Sequence, residues 1–119
     1  MTTLAELFEA LKYRVDVSPI TGTRMYYNSA GQLHREDGPA IEYANSNKEW
    51  WQNDQRHRTD GPAMTHTDGF SVWFQNGLRH RTDGPAVEYA DGSKEWWLNG
   101  KRCTKQNYHA RLKTLGQTP

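Results

Sequence analysis

Three segments of the chain are near copies of one another: Leu33-His34-Arg35-Glu36-Asp37-Gly38-Pro39-Ala40, Arg56-His57-Arg58-Thr59-Asp60-Gly61-Pro62-Ala63 and Arg79-His80-Arg81-Thr82-Asp83-Gly84-Pro85-Ala86. They begin 23 residues apart, twice in succession. A period of that size marks a repeat architecture, in which each unit is one supersecondary piece, too small to bury its own face and obliged to stack on its neighbours.

The stretch that follows each motif has a common layout. In the third unit, Ala86-Val87-Glu88-Tyr89-Ala90 alternates as a strand does, Asp91-Gly92 marks a turn, Lys94-Glu95-Trp96-Trp97-Leu98 is a second strand and Asn99-Gly100 a second turn. Asn-Gly and Asp-Gly supply the positive φ angles that tight hairpin turns require. The second unit places Asp68-Gly69 and Asn76-Gly77 at the same points, and the first has Asn45-Ser46-Asn47 and Asn53-Asp54. Pro39, Pro62 and Pro85 lack a ladder donor and mark the beginning of a strand or a corner. The expected fold class is mainly β: an antiparallel meander of tandem 23-residue β-hairpin repeats, about two strands each, with one capping helix at each end.

The ends read differently. Thr3 and Glu6 form a capping-box pattern, and Leu4, Leu7, Phe8 and Leu11 share a helical face, so a helix is predicted over residues 3–14. Val15 to Gly22 reads as a connection broken by Pro19 and Gly22. The array is expected over residues 23–104. It opens with a weakened copy around Tyr26-Tyr27 and Gly31, and full units follow at 33–55, 56–78 and 79–101. Cys103 then stands where a fourth histidine would recur. Thr104 is placed to cap a second helix with Tyr108, Leu112 and Leu115 on one face, ending at Gly116. The chain therefore divides into 1–22, 23–104 and 105–119. Helices at both ends would protect the terminal units of the sheet.

Composition narrows the function. At 119 residues there is room for one domain. Leu, Ile, Val and Phe supply only 17 residues, but five Trp and six Tyr accompany them. Each large ring buries roughly 150–250 Å², which favours a thin aromatic sheet over a thick aliphatic core. The formal charge of +1 is neither the basic balance of a dedicated nucleic-acid binder nor the acidic surface of a DNA mimic. One cysteine allows no intrachain disulfide. With no signal-peptide pattern and no run approaching ~20 apolar residues, a cytoplasmic protein without a membrane span is expected.

The elements Asp91-Gly92-Ser93, Trp96-Trp97 and Asn99-Gly100-Lys101, with the 23-residue spacing, resemble MORN repeats and their shorter relatives among bacterial antitoxin-like proteins. The opening Tyr26-Tyr27 to Gly31-Gln32-Leu33 is similar to that second group. The His-Arg-x-Asp-Gly-Pro-Ala variant resembles small repeat proteins of bacteriophage genomes. The resemblance covers roughly residues 23–104. It implies a non-enzymatic β-hairpin array used for attachment to other molecules. Where MORN units usually carry a glycine, this chain has Arg35, Arg58 and Arg81, so MORN-type lipid binding is not carried over.

His34, His57, His80 and Cys103 fall in register as four potential metal ligands. Equivalent positions in successive two-strand units lie about 9–10 Å apart, whereas zinc ligands must all reach within ~2.0–2.3 Å of one ion. The histidines are therefore expected to be hydrogen-bonded repeat positions, and no metal, cofactor or catalytic residue is assigned. Each motif also sets an Arg beside an Asp, and a constellation that recurs three times reads as scaffold: Asp before Gly is turn chemistry, and the Arg is placed to stack on a Trp of the next unit.

Binding residues are sought where the pattern breaks or where aromatics accumulate. The second unit has Met64-Thr65-His66 and Ser71-Val72-Trp73-Phe74 where its neighbours carry Glu, Tyr and Lys-Glu-Trp-Trp, and Phe70 reads as extra to the pattern. An aromatic, Met-containing centre depleted in charge is typical of interfaces. Adjacent strand residues point to opposite faces, so Trp50, Trp73 and Trp96 line one face and Trp51, Phe74 and Trp97 the other. Lys48, Lys94, Gln52 and Gln75 share the first, which reads as the wetter face. The expected partner-binding set is Arg35, Trp50, Arg58, Met64, His66, Phe70, Trp73, Arg81 and Trp96. The function expected is a non-catalytic protein-binding module. The phage resemblance points to an inhibitor that binds and blocks a host protein complex, such as a CRISPR–Cas or other defence nuclease. The alternatives are a nucleic-acid binder using the aromatic and Arg ladder and a structural or attachment repeat protein.

Overall fold

The structure is a computed structural model that describes residues 3, 4 and 12–116. Of the predicted N-terminal helix, residues 5–11 lie outside the described residues. Leu4 and Lys12 are helical, and Arg14 is not, because it belongs to a strand, β1 (Arg14–Val17), which also takes the first three residues of the predicted connection. The alternation Arg-Val-Asp-Val carries this strand, and β1 pairs antiparallel with β2 (Arg24–Tyr27) through the turn at Pro19–Gly22.

The rest of the chain builds one nine-stranded antiparallel sheet and a flanking row of hairpins. After β2 the sheet takes β3 (Ile41–Glu42) and β4 (Lys48–Glu49). The chain then leaves it for a hairpin of β5 (Trp51–Gln52) and β6 (Gln55–Arg56). It returns as β7 (Met64–Thr65) and β8 (Ser71–Val72), and leaves again for β9 (Phe74–Gln75) and β10 (Leu78–Arg79). The last pass is β11 (Val87–Glu88), β12 (Lys94–Leu98) and β13 (Lys101–Cys103), followed by helix α1 (Lys105–Thr114). The result is elongated, 54 × 30 × 22 Å.

In the first two units the expected second strand is thus bent at its first tryptophan, whereas in the third it runs unbroken as β12, and backbone hydrogen bonds explain the bend. Trp50 donates its N–H to Ala63 in the main sheet but accepts from His57 in the hairpin; Trp73 does the same with Ala86 and His80, and Tyr26 with Ala40 and His34. One residue therefore serves two ladders. Each hairpin turn bears consecutive positive φ angles, at Asn53 and Asp54, Asn76 and Gly77, and Asn99 and Gly100, as the Asn-rich sequences predict.

The core is thin. Ala63, Val72, Phe74 and Val87 are buried, with Trp50, Met64, Phe70 and Trp97 packed against them. A second cluster joins Leu98 to Tyr108 and Leu112 of α1. The Thr104 hydroxyl caps α1 by accepting from Asn107 N–H. Leu115, expected on the buried face, lies beyond the helix and is exposed. Phe70 is not an insertion: its N–H bonds the Asp68 carboxylate just as Asn47 bonds Asn45 and Ser93 bonds Asp91, so it occupies their register.

Candidate functional site

The three motifs fold into three parallel loops, each organised by its arginine. Arg58 Nε bonds Asp60 at 3.0 Å, Nη1 bonds the Pro62 carbonyl at 3.1 Å, and the guanidinium lies 4.0 Å from the Trp50 ring centre. Arg81 repeats this with Asp83, Pro85 and Trp73, and Arg35 with Asp37, Pro39 and Tyr26. The ring covered belongs to the preceding strand pair, not to the next unit as expected. The glycine of each motif makes room for the guanidinium.

The histidines are built into the hairpins. Nδ1 of His34, His57 and His80 accepts the backbone N–H of Asn53, Asn76 and Asn99 at 3.0–3.1 Å. The ring is an acceptor there only while neutral. Among the described residues no group of His, Cys, Asp and Glu is placed to hold a metal ion. Burial lowers the pKa of His80 below its ordinary value. The sign follows: the unfolded chain takes up the proton first, so the stability that neutral His80 contributes is present above pH ~6.5 and lost as pH falls through its folded pKa. Urea unfolding at pH 7.5 and 5.0 is expected to show a loss of stability on acidification that is smaller in His80→Asn, whose side-chain oxygen still accepts at low pH.

Between the first and second loops runs a groove of about 500 Å³, with Trp50 and Gln52 on its floor and Arg35 to Pro39 and His57 to Asp60 as walls. A smaller groove of about 210 Å³ repeats between the second and third loops over Trp73 and Gln75. Arg35, Trp50 and Arg58 therefore meet at one groove, and Trp73 and Arg81 at the next. Trp96 is elsewhere, against the Leu98–Tyr108–Leu112 cluster and beneath Lys105. The ladder read as wet is covered by cations, ring by ring. The loop rims are acidic in what they expose: the Arg35, Arg58 and Arg81 side chains are 18, 26 and 19% exposed, and their Asp partners 49, 84 and 69%.

The hairpin row has a second stack that alternates rings and guanidinium groups. Arg56 lies over Trp51 and Phe74, and Arg79 over Phe74 and Trp97. In the first unit a buried carboxylate closes the network: Glu49 accepts from Tyr43 Oη at 2.7 Å, Trp51 Nε1 at 3.1 Å and Arg56 Nε at 2.9 Å. Burial works to raise the pKa of Glu49, but these donors outweigh it and hold the carboxyl below its ordinary value. The Tyr43 phenol is pushed up to about 12 by burial and by its bond to Glu49. Glu95 does the same in the third unit with Tyr89, Trp97 and Arg102.

The middle unit has no such network. Val72 stands for the glutamate, Phe74 for the tryptophan and His66 for the tyrosine. The substitutions agree with one another, because a ring without an N–H needs no carboxylate. They leave Arg79 without an ion pair among the described residues, flanked by two rings. Leu78 and Tyr89 are exposed, at 49 and 40%, and His66, Phe70 and Tyr89 form a run of ring contacts at 5.1 and 5.5 Å. Of the predicted set, His66 and Phe70 join this run of rings, and Phe70, like Met64, also packs on the core. Arg79, Leu78 and Tyr89 were missed. Comparing Arg56, Arg79 and Arg102 across the units, each with the residue seven positions earlier, would have exposed the missing glutamate.

The fold and both candidate surfaces define a mainly β protein built as an antiparallel meander with one described helix, at its C-terminal end. Comparison with family models, with curated proteins and with solved structures finds no match. No helix among the described residues is long and apolar enough to cross a membrane.

Proposed function

We propose that the chain is a non-catalytic protein-binding scaffold whose contact surface is the middle unit of the hairpin row. The observation that carries this reading is Arg79: Arg56 and Arg102 each pair with a glutamate of their own unit, whereas Arg79 has no carboxylate in its own unit, lies against two rings and feels Glu95 of the next unit only at longer range. An exposed guanidinium between aromatic rings, on a strand that also exposes Leu78, has the composition of an interface hot spot. The resemblance to bacteriophage repeat proteins extends the reading to an inhibitor that occupies a host complex, with a defence nuclease as the leading class of target. The exposed carboxylates of the loop rims weigh against nucleic acid on that face.

The test is affinity capture from host lysate with the tagged chain, with and without nuclease, alongside two variants. Arg79→Glu is expected to abolish capture of the same protein complex seen with wild type. A triple variant, His66→Tyr, Val72→Glu and Phe74→Trp, gives the middle unit its neighbours' network. It is expected to keep the fold by circular dichroism and to lose capture at least tenfold. Undiminished capture by both variants, or capture that vanishes with nuclease, would overturn the reading.

A further inference from the structure

Among the described residues, the two ends of the nine-stranded sheet differ. At one end β13 is backed by α1, whose Tyr108 and Leu112 gather Leu98 and Cys103. At the other end β1 is the terminal strand, and among the described residues it pairs on one side only, with β2. All four of its residues are exposed, Val15 and Val17 at 38 and 52%. An unpaired strand edge is a template for another strand.

The direction of its free backbone groups follows from the ladder. Ser18 N–H bonds inward to Thr23, and Tyr26, which faces Val15, spends its N–H on Ala40 instead. Hydrogen-bonded and non-hydrogen-bonded pairs alternate along an antiparallel ladder. The N–H and C=O of Val15 and Val17 therefore point out of the sheet.

We infer that this edge pairs with β1 of a second copy of the chain, antiparallel about a two-fold axis through Val15. The sequence is self-complementary in that register alone. With Val15 opposite Val15 of the second copy, Arg14, which lies 3.7 Å from Asp16 of its own strand, faces Asp16 of the other, and the valines share the opposite face, where Tyr13 is buried within its own chain. A slip of two residues one way sets Arg14 against Arg14, and the other way Asp16 against Asp16. A slip of one residue sets valines against charges and reverses the faces. Opposite charges directly across a strand pair favour it and like charges disfavour it. The interface is isologous, as closed dimers require.

Sedimentation of the full chain, with concentration raised to about 1 mM, is expected to show mass rising from 13.8 kDa towards twice that value. Arg14→Asp and Asp16→Arg should each hold it at the monomer mass with unchanged circular dichroism, and the double swap should restore the dimer. A Val15→Cys variant in a Cys103→Ser background should crosslink on oxidation, because a hydrogen-bonded pair about 5.5 Å apart lies within disulfide reach. Ile20→Cys, in the turn beyond the strand, should not. A monomer at every concentration, or crosslinking as efficient at position 20 as at 15, would overturn the inference. So would a double swap that stays monomeric while the wild type dimerises.

Discussion

Replacing Glu49 by alanine is expected to cost about 3 kcal/mol of stability, the lower end of what breaking a buried ion pair costs. Glu49 is 6% exposed and is the common acceptor for Tyr43, Trp51 and Arg56. Truncation leaves those donors facing a cavity, and Arg56, with a third of its side chain exposed, is free to turn to water. Glu95→Ala should cost less, about 1 kcal/mol, because Arg102 is already largely solvated and 3.8 Å away. The middle unit supplies the control: Glu49→Val with Tyr43→His and Trp51→Phe copies Val72, His66 and Phe74 and should recover much of the loss. Urea unfolding at pH 7 measures all three. The sign in pH is fixed by the lowered pKa of Glu49: its contribution is present above pH ~4.5 and lost as pH falls through the folded value. Wild type and Glu49→Ala should therefore converge in acid. Equal losses for the two alanine variants would contradict the network described.

Gly61→Ala is expected to cost about 1–3 kcal/mol, although Gly61 has no positive φ. The cause is occupancy: a β-carbon there would stand 2.8 Å from Arg58 Cζ. The guanidinium is the far end of a flexible chain and can leave, so the cost is what it leaves behind. That is a ring stack worth ~0.5–2 kcal/mol, and the bonds to Asp60 and to the Pro62 carbonyl. The effect should be graded. Gly84→Ala, at 2.9 Å, should behave like Gly61→Ala, and Gly38→Ala, at 3.2 Å, should be milder. Thermal unfolding reads the ranking at roughly 4 °C per kcal/mol, and tryptophan fluorescence should report the uncovering of Trp50. Three equal and negligible shifts would mean the stacked arginines hold nothing together.

The repeat period and turn chemistry made the meander legible, because glycine and asparagine at fixed offsets state where the chain must reverse. The double role of Trp50 and Trp73 was not legible. A residue that donates to one ladder and accepts in another looks, in sequence, like any strand residue. β1 was missed for a related reason: four residues beside a helical pattern carry too little periodicity to outweigh the breakers that follow. On the site, the motif arginines stood out by recurrence, yet recurrence itself ties them to the scaffold. The informative arginine was Arg79, which is unremarkable alone and conspicuous only once Glu49 and Glu95 are seen to pair with its counterparts. Such a missing partner becomes visible when contacts, rather than letters, are compared between units.

The bonds joining neighbouring units, such as Gly77 to Arg56 and Gly100 to Arg79, reach only to the adjacent hairpin. The joint is therefore indifferent to how many hairpins precede or follow it. A gene that gained or lost one 23-codon block at matching points would encode a chain with the same seams, longer or shorter by about 9–10 Å, two strand spacings. The protein is in that sense a ruler with interchangeable divisions. Its middle division can diverge, as it has at Val72 and Phe74, while those on either side keep the measure.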